Sequence, residues 1–476
     1  MGNNLMIRIF LPKLISLLLL LVVTGILSMG DQAISQDSKP TTQETVLRNL
    51  ILLFYEKNSG GSASSNSYRG REGFLMMDPL TGRALGLKTI VTEDYVRGKG
   101  LFREAQKALS LGIEAMNAAG VDKASEQLLQ LVADYSCEYN RAMDESAGLM
   151  QDYRKALKNE NDERFNKEAS RNLADKIIKL CIESASGNLR DSLACFHNKT
   201  RGAEENGFQL NTGNVAFVNK VYRGYIETIE QTGASPVFDL DLHEGASEVE
   251  DRWKRVKSRM DIPYKQYLDD VFMENLRTGV VVDPLLFAAL MRQESNFNSL
   301  AVSYVGAAGL TQIMPSTGKS LGMENIYMPS YYEEARDFFV KEMELKKGAI
   351  SLFKGVCRND KRGSALHAVD KMIKSNIRKR KRTELYSRYK AEISGGVKDD
   401  RLDPAKAIRY GYAYFAGILR QQKGDISLAL AGYNSGPHRV KQFGGLPPYQ
   451  ETVSFRNNIL RFYKEYLKTA AVRQGN

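Results

Sequence analysis

A chain of 476 residues exceeds what one ordinary core requires, and at ~100–200 residues per domain it predicts two or three domains. With 43% hydrophobic and 26% charged residues it is globular over most of its length, which excludes a disordered or fibrous chain. Lys and Arg outnumber Asp and Glu by 67 to 56, and the resulting +11 points to an anionic partner or surface while saying nothing about fold.

The first residues narrow that partner. Arg8 and Lys13 precede an apolar run over 14–27, and Ser28-Met29-Gly30 then supplies small residues for a cleavage site. Positive, apolar, small is the order of a secretory signal, so 1–30 is expected to be a signal peptide. The run is shorter than the ~20 residues of a usual membrane span, and an uncleaved anchor is the alternative. No cysteine follows it, so no lipoprotein site is expected. Either reading carries the chain out of the cytoplasm, to the periplasm, and removes nucleic acid as the partner of its positive charge. Export permits disulfides among Cys137, Cys181, Cys195 and Cys357, of which Cys181 and Cys195 lie closest in sequence and are expected to pair. With no CxxC, no His/Cys cluster and only four histidines, neither a metal nor another cofactor is expected.

Thr41 and Glu44 form a capping-box pattern before an apolar run over 46–55, followed by a Gly/Ser-rich loop at 58–67. Leu109, Ile113 and Met116 repeat at helical spacing, Gly120 can end that helix, and Ala124, Leu128, Leu131, Val132 and Tyr135 mark a second one, so an αα-hairpin is predicted. Amphipathic helix continues through 145–200 and 213–232, and no fixed repeat period emerges. Residues 31–245 are therefore read as a helical N-terminal domain, a scaffold or a docking element. A linker with Pro236 and Gly245 ends it. From Trp253 short helices alternate with Gly-rich turns up to Gly322. Residues 327–401 form a long basic helical insertion, and helical periodicity resumes from Asp403.

Asp283-Pro284 is a strong helix start, with Asp as N-cap and Pro at the first helical position. On the helix over 285–294, Phe287, Leu290, Met291 and Glu294 share one face. A carboxyl there loses hydration, and at a helix C-terminus the macrodipole opposes its negative charge, so its pKa should rise. A raised carboxyl pKa suits a general acid. The bland alternative is a Glu at a frayed helix end, pointing into water. Three segments further along the chain weigh against it: a small-residue stretch, Gly306-Ala-Ala-Gly309-Leu-Thr-Gln312-Ile-Met314-Pro315, preceded by Ser303; a turn, Gly432-Tyr433-Asn434-Ser435-Gly436; and a late Tyr449-Gln450-Glu451-Thr452. Glycines admit close backbone approach, and Gln312 offers an amide for sugar hydroxyl or acetamido groups.

In this order the four blocks resemble the lytic transglycosylases of the soluble, goose-lysozyme-like group. Glu294-Ser295 matches the family's Glu-Ser, 306–315 its Gly-Ala-x-Gly-Leu-x-Gln-Ile-x-Pro block, Tyr433 to Gly436 its Tyr-Asn-x-Gly turn, and Glu451-Thr452 its late Glu-Thr. The match covers about 270–322 and 402–466. The resemblance implies an all-α protein with a lysozyme-like catalytic domain over 253–470, interrupted by the basic insertion, acting on peptidoglycan glycan strands. It implies that Glu294 is the acid and then the base, with Ser303, Gln312, Met314, Tyr433, Asn434 and Glu451 lining the groove. Thr311 stands where the family has Met, placing an apolar sugar contact in question. Val453 stands where Arg is common, placing a structural ion pair in question. With one convincing carboxyl, the implied reaction is non-hydrolytic and yields a 1,6-anhydro sugar. A lysozyme-type hydrolase, and a wall-binding or assembly protein without activity, are the competing classes. The basic insertion is expected to hold anionic wall polymers or lipid headgroups.

Overall fold

The computed structural model describes residues 42–59, 68–158, 160–185, 188–202, 209–231 and 246–472. The expected signal peptide over 1–30 and the linker with Pro236 and Gly245 lie outside the described residues. Among the described residues the chain is all-α, with seventeen α-helices, three short 3₁₀ turns and no strand beyond isolated bridges. None of these helices is long and apolar enough to cross a membrane.

Residues Val46–Asn476 form one compact unit, and its apolar clusters show how it is assembled. The first surrounds the Pro284–Ser295 helix, where every residue from Leu285 to Met291 is buried, against Trp253, Leu268, Phe272, Tyr412, Phe415 and Tyr463. Burying a Leu, Phe or Met side chain contributes about 1.5–3 kcal/mol, so this segment anchors the region. A second cluster joins Leu47, Ile51, Tyr55, Phe74, Phe196, Phe217 and Tyr222 to Ala431, Val440, Leu446 and Val453. Residues from both halves of the sequence therefore share one core.

The basic insertion is a helical hairpin, Ser330–Gly355 and Lys361–Ser394. It packs on a second hairpin, Glu93–Ala118 and Glu126–Ala156, through Ala115, Met116, Leu129, Val132, Phe353, Val369 and Met372. Phe353 lies where a side chain on Gly112 would stand, 2.2 Å from its ring. Ser136 donates to Phe353 O (2.6 Å) and Asn140 Nδ2 to Lys354 O (3.0 Å), satisfying carbonyls at a helix end that lacks intrahelical partners. Beside them Cys137 is joined to Cys357, a cross-link absent from the sequence expectation, while Cys181 is joined to Cys195 as their spacing suggested.

Candidate active site

The Pro284–Ser295 helix begins as its sequence predicts. Asp283 Oδ1 accepts from Leu285 N (2.8 Å), and Tyr463 OH and Arg252 both donate to Asp283 Oδ2, so the cap also ties in the late helix Gln450–Val472. The helix ends at Asn296 in the left-handed conformation, leaving Glu294 in its last turn. Glu294 is half-buried, and its carboxyl is pushed up to about 8, first by desolvation and second by the nearby carboxyl of Glu451. Burial is one of the two causes the sequence predicts, the helix macrodipole being the other; Glu451 is an addition that only the fold supplies. Such a carboxyl is still protonated at neutral pH and can donate a proton to an oxygen in the groove.

Ser295 links this helix to the small-residue loop: its hydroxyl lies 2.9 Å from Leu310 O and 3.2 Å from Met291 O. The loop is pinned from below by Arg401, whose side chain is fully buried. Its Nη1 donates to Gly306 O (2.8 Å) and Ile313 O (3.0 Å), Nη2 to Tyr389 OH (2.8 Å), and Nε and Nη2 pair with Asp399 (2.9 and 2.7 Å). Gly309 is obligatory here, because it has φ +78° and a Cβ on it would lie 1.7 Å from Arg401 O.

The expected groove residues divide by what their side chains do. Ser303 Oγ accepts from Ala307 N (2.9 Å). Gln312, with φ +48°, donates its amide to Ala301 O (3.0 Å) and Gly309 O (2.8 Å), so this NH₂ group braces the loop. Met314 packs against the Tyr332, Tyr386 and Tyr389 cluster of the insertion. Tyr433 OH donates to Thr311 O (2.8 Å), and its own ionisation is driven far up by burial and by Glu294. Asn434 Oδ1 accepts from Thr452 Oγ1 (2.7 Å), which joins the two late segments, and Glu451 is exposed in the first turn of its helix.

The two departures fall in the interior. Thr311 is fully buried and donates to Ala407 O (3.0 Å), with Gly411 leaving room for it. Val453 is buried in the cluster shared with the first half, and three residues on Arg456 pairs with Asp191 (2.8 Å) and donates to Ser427 Oγ (2.9 Å). Sequence reasoning missed Arg401, Asp399 and Tyr389; the one available signal was Asp-x-Arg directly before the Asp403-Pro404 helix start. Among the described residues no group of three or more His, Cys, Asp or Glu is placed to hold a metal ion.

A family model described as the transglycosylase SLT domain matches 274–337 and 381–452, the two stretches that flank most of the basic hairpin. A transglycosylase of Enterobacteria phage PRD1 is 49% identical over 49 residues, which is 10% of this chain and 18% of that relative's length. Among solved structures, a lytic transglycosylase of Pseudomonas aeruginosa aligns over 90% of this chain and 73% of its own, at 13% identity and a TM-score of 0.27. The 70-kDa soluble lytic transglycosylase of Escherichia coli aligns over 90% and 71%, at 14% identity and 0.28. Superpositions this loose transfer no residue. The likeness to the transglycosylase SLT domain is carried by 274–337 and 381–452.

Proposed function

We propose that this chain is an exported peptidoglycan lytic transglycosylase, with a catalytic domain over 253–470 and Glu294 as its acid and base. The observation that carries the reading is the carboxyl of Glu294 at the end of a buried helix, beside Ser295, which bonds the Gly306 loop, and close to Tyr433, where burial and Glu451 push its pKa up to about 8. Ser303, Gln312, Met314, Tyr433, Asn434 and Glu451 line the glycan groove around it. Glu294 gives its proton to the glycosidic oxygen leaving C1 of N-acetylmuramic acid, and that C–O bond breaks. The substrate's acetamido carbonyl steadies the electron-poor C1. The Glu294 carboxylate then takes the proton of the sugar's C6 hydroxyl, and O6 bonds to C1. No water is consumed. The C6 hydroxyl is already tethered to the reacting ring, and such intramolecular delivery can be worth ~7–11 kcal/mol.

One observation serves the competing hydrolase. Glu451 lies close enough to raise the pKa of Glu294, and a second carboxylate can hold an attacking water. Product analysis separates the two. Digestion of sacculi should release muropeptides ending in 1,6-anhydro-N-acetylmuramic acid, lighter by one water and resistant to borohydride. Reducible ends carrying oxygen from labelled water would show a hydrolase.

The signal-like first 30 residues and the substrate support a periplasmic site of action. For the basic run over 377–382 the structure supports a narrower surface. Arg382 is buried against Glu342 (2.8 Å), and Arg378 and Lys381 lie over the Phe338 ring. Lys379, Arg380 and Lys381 remain exposed, and they are the charges proposed to meet anionic wall polymers or lipid.

A further inference from the structure

The first half of the chain repeats the construction of the second. Arg164 is as buried as Arg401 and makes the same bonds: Nε and Nη2 to Asp162 (2.9 and 2.8 Å), Nη2 to Tyr153 OH (2.6 Å), and Nη1 to Gly70 O (3.2 Å) and Met77 O (2.9 Å). The loop they pin follows the same path. Gly73 and Gly309 have φ +77° and +78°, and Met76 and Gln312 have φ +51° and +48°. A Cβ on Gly73 would lie 2.2 Å from Arg164 O, as one on Gly309 would meet Arg401 O. Asp78-Pro79 then starts a six-residue helix, as Met314-Pro315 does.

The order of elements continues to match: a long helical hairpin, a 3₁₀ turn (Glu163–Phe165; Asp400–Leu402), then helices Lys167–Ser184 and Pro404–Gln421, Leu189–Thr200 and Ile426–Ser435, and Val215–Gln231 and Gln450–Val472, with the short helix Pro437–Phe443 the one addition among the described residues of this stretch of the second half. Even the join of the late segments recurs, with Asn214 Nδ2 bonded to Asn198 Oδ1 (3.2 Å) where Thr452 meets Asn434.

What does not recur is the chemistry. The Thr42–Ser59 helix has Glu56 as its last acid, and Glu56 pairs with Arg171 and Lys167. Tyr55 beside it is fully buried among Phe74, Phe196 and Phe217. Around that core stand Arg71, Arg201 and His197; burial, then Arg201 and Arg71, push His197 down to about 3.

The first half instead grips the second at its two late site segments. Asn219 Nδ2 donates to Leu446 O (2.8 Å) and Leu446 N donates to Asn219 Oδ1 (2.9 Å), a two-way clasp on the strap that leads to Glu451. Arg190 forms a bidentate pair with Asp425 (3.0 and 2.6 Å), the residue that caps the helix bearing Tyr433 and Asn434. A surface pocket of about 270 Å³, open to solvent, is lined by both residues at this seam.

We propose that residues 46–231 are a second copy of the catalytic fold whose helix-end carboxylate, Glu56, is tied up in ion pairs, and that this copy serves as a positioning wall of the groove, Asn219 and Arg190 setting where Glu451 and the Tyr433 turn stand relative to Glu294. The inference rests on the reading of Glu294 as the acid. Two groups face that carboxyl, Glu451 from the last helix and Tyr433 from the Ile426–Ser435 helix. Releasing the strap moves Glu451 away and removes one of the two causes that hold the Glu294 pKa up. The acid must be protonated to act, so the alkaline limb of the activity profile then moves to lower pH.

The test is Asn219→Ala in the full chain, with sacculus cleavage followed from pH 5 to 9. The expected result is a fall in kcat of about ten- to a hundredfold with KM little changed, and a downward shift of the alkaline limb. Arg190→Lys, which keeps charge facing Asp425, should show a smaller fall. Tyr55→Phe, in the first copy's own core, should change neither quantity. A fall in activity with an unmoved limb is loss of folded protein only, and it overturns the proposal, as does an unchanged Asn219→Ala enzyme or an altered Tyr55→Phe enzyme. Should Asn219→Ala fail to fold, Asn219→Ser and Arg190→Lys read the same limb. Failure of the acid assignment is a separate result, seen as activity retained in Glu294→Gln.

Discussion

Two loops pinned in the same way stand in this chain, one beside a groove and the other over a closed core, with opposite contents. Around Glu294 the fold collects carboxyls, a tyrosine hydroxyl and amides; around Tyr55 it collects aromatic rings, two arginines and a histidine. The buried Arg–Asp–Tyr node that shapes each loop is nearly identical, down to the pair of carbonyls that its guanidinium binds. The fold therefore tolerates either lining, and chemistry resides in the few side chains that face the groove. The two nodes also show where stability is kept. A buried, hydrogen-bonded ion pair is costly to break from one side, which constrains the node more tightly than what lies beside its loop.

The comparison is broken most directly at the acid. Glu294→Gln is nearly isosteric and removes the proton donor, so glycan cleavage should fall ~10²–10⁴-fold with an unchanged circular dichroism spectrum. Adding Tyr55→Glu to that variant should restore nothing, because that position is closed off in a core of aromatic rings. Recovery of cleavage would mean that the two positions remain interchangeable.

The nodes sharpen it next. Arg164→Met and Arg401→Met each leave a buried aspartate unpaired and should each cost about 3–5 kcal/mol in denaturant unfolding. Activity should separate them. Arg401 holds the loop carrying Ser303, Gln312 and Met314, so its loss lowers activity per folded molecule, whereas Arg164→Met leaves that figure near wild type. Equal activity losses in the folded fractions would contradict the division of labour.

The cross-links come third. Cys137–Cys357 closes a separation of 220 residues and joins one hairpin of each copy, whereas Cys181–Cys195 closes 14 within the first copy. Loop-closure entropy grows with the logarithm of length, so the double change Cys137→Ser with Cys357→Ser should cost about 2–4 kcal/mol and exceed the loss from Cys181→Ser with Cys195→Ser. Thermal melts of the two variants decide the order.

The smallest effect is expected on the hairpin surface that distinguishes the copies in charge. Replacing Lys379, Arg380 and Lys381 by Gln should weaken sacculus binding severalfold at low salt and hardly at all at 1 M, where the screening length is ~3 Å. Cleavage of short soluble glycans should be unaffected.

The sequence by itself determined the helical class, the Asp283-Pro284 helix start, the apolar face carrying Glu294 and the order of the four groove blocks, because caps and periodicity are local and written in side-chain types. It showed one member of the acid pair's electrostatics, burial, and missed the other, since Glu451 reaches Glu294 only through folding. It offered the Gln312 amide to a sugar without showing that its NH₂ group donates to the loop's own carbonyls. The internal duplication is legible in the sequence over one stretch only, where Tyr68, Gly70, Gly73, Pro79, Thr81, Gly82, Leu85 and Gly86 match Tyr304, Gly306, Gly309, Pro315, Thr317, Gly318, Leu321 and Gly322, and it escapes a search for a short fixed period. The node recognises the main-chain carbonyls of residues 70, 77, 306 and 313, and every residue type offers a carbonyl, so Met77 and Ile313 could differ, whereas Gly70 and Gly306 stay alike because both have positive φ. The rest of each node, Tyr153, Asp162 and Arg164 or Tyr389, Asp399 and Arg401, lies far along the chain from its loop, and only the tertiary structure brings each set together around its buried guanidinium.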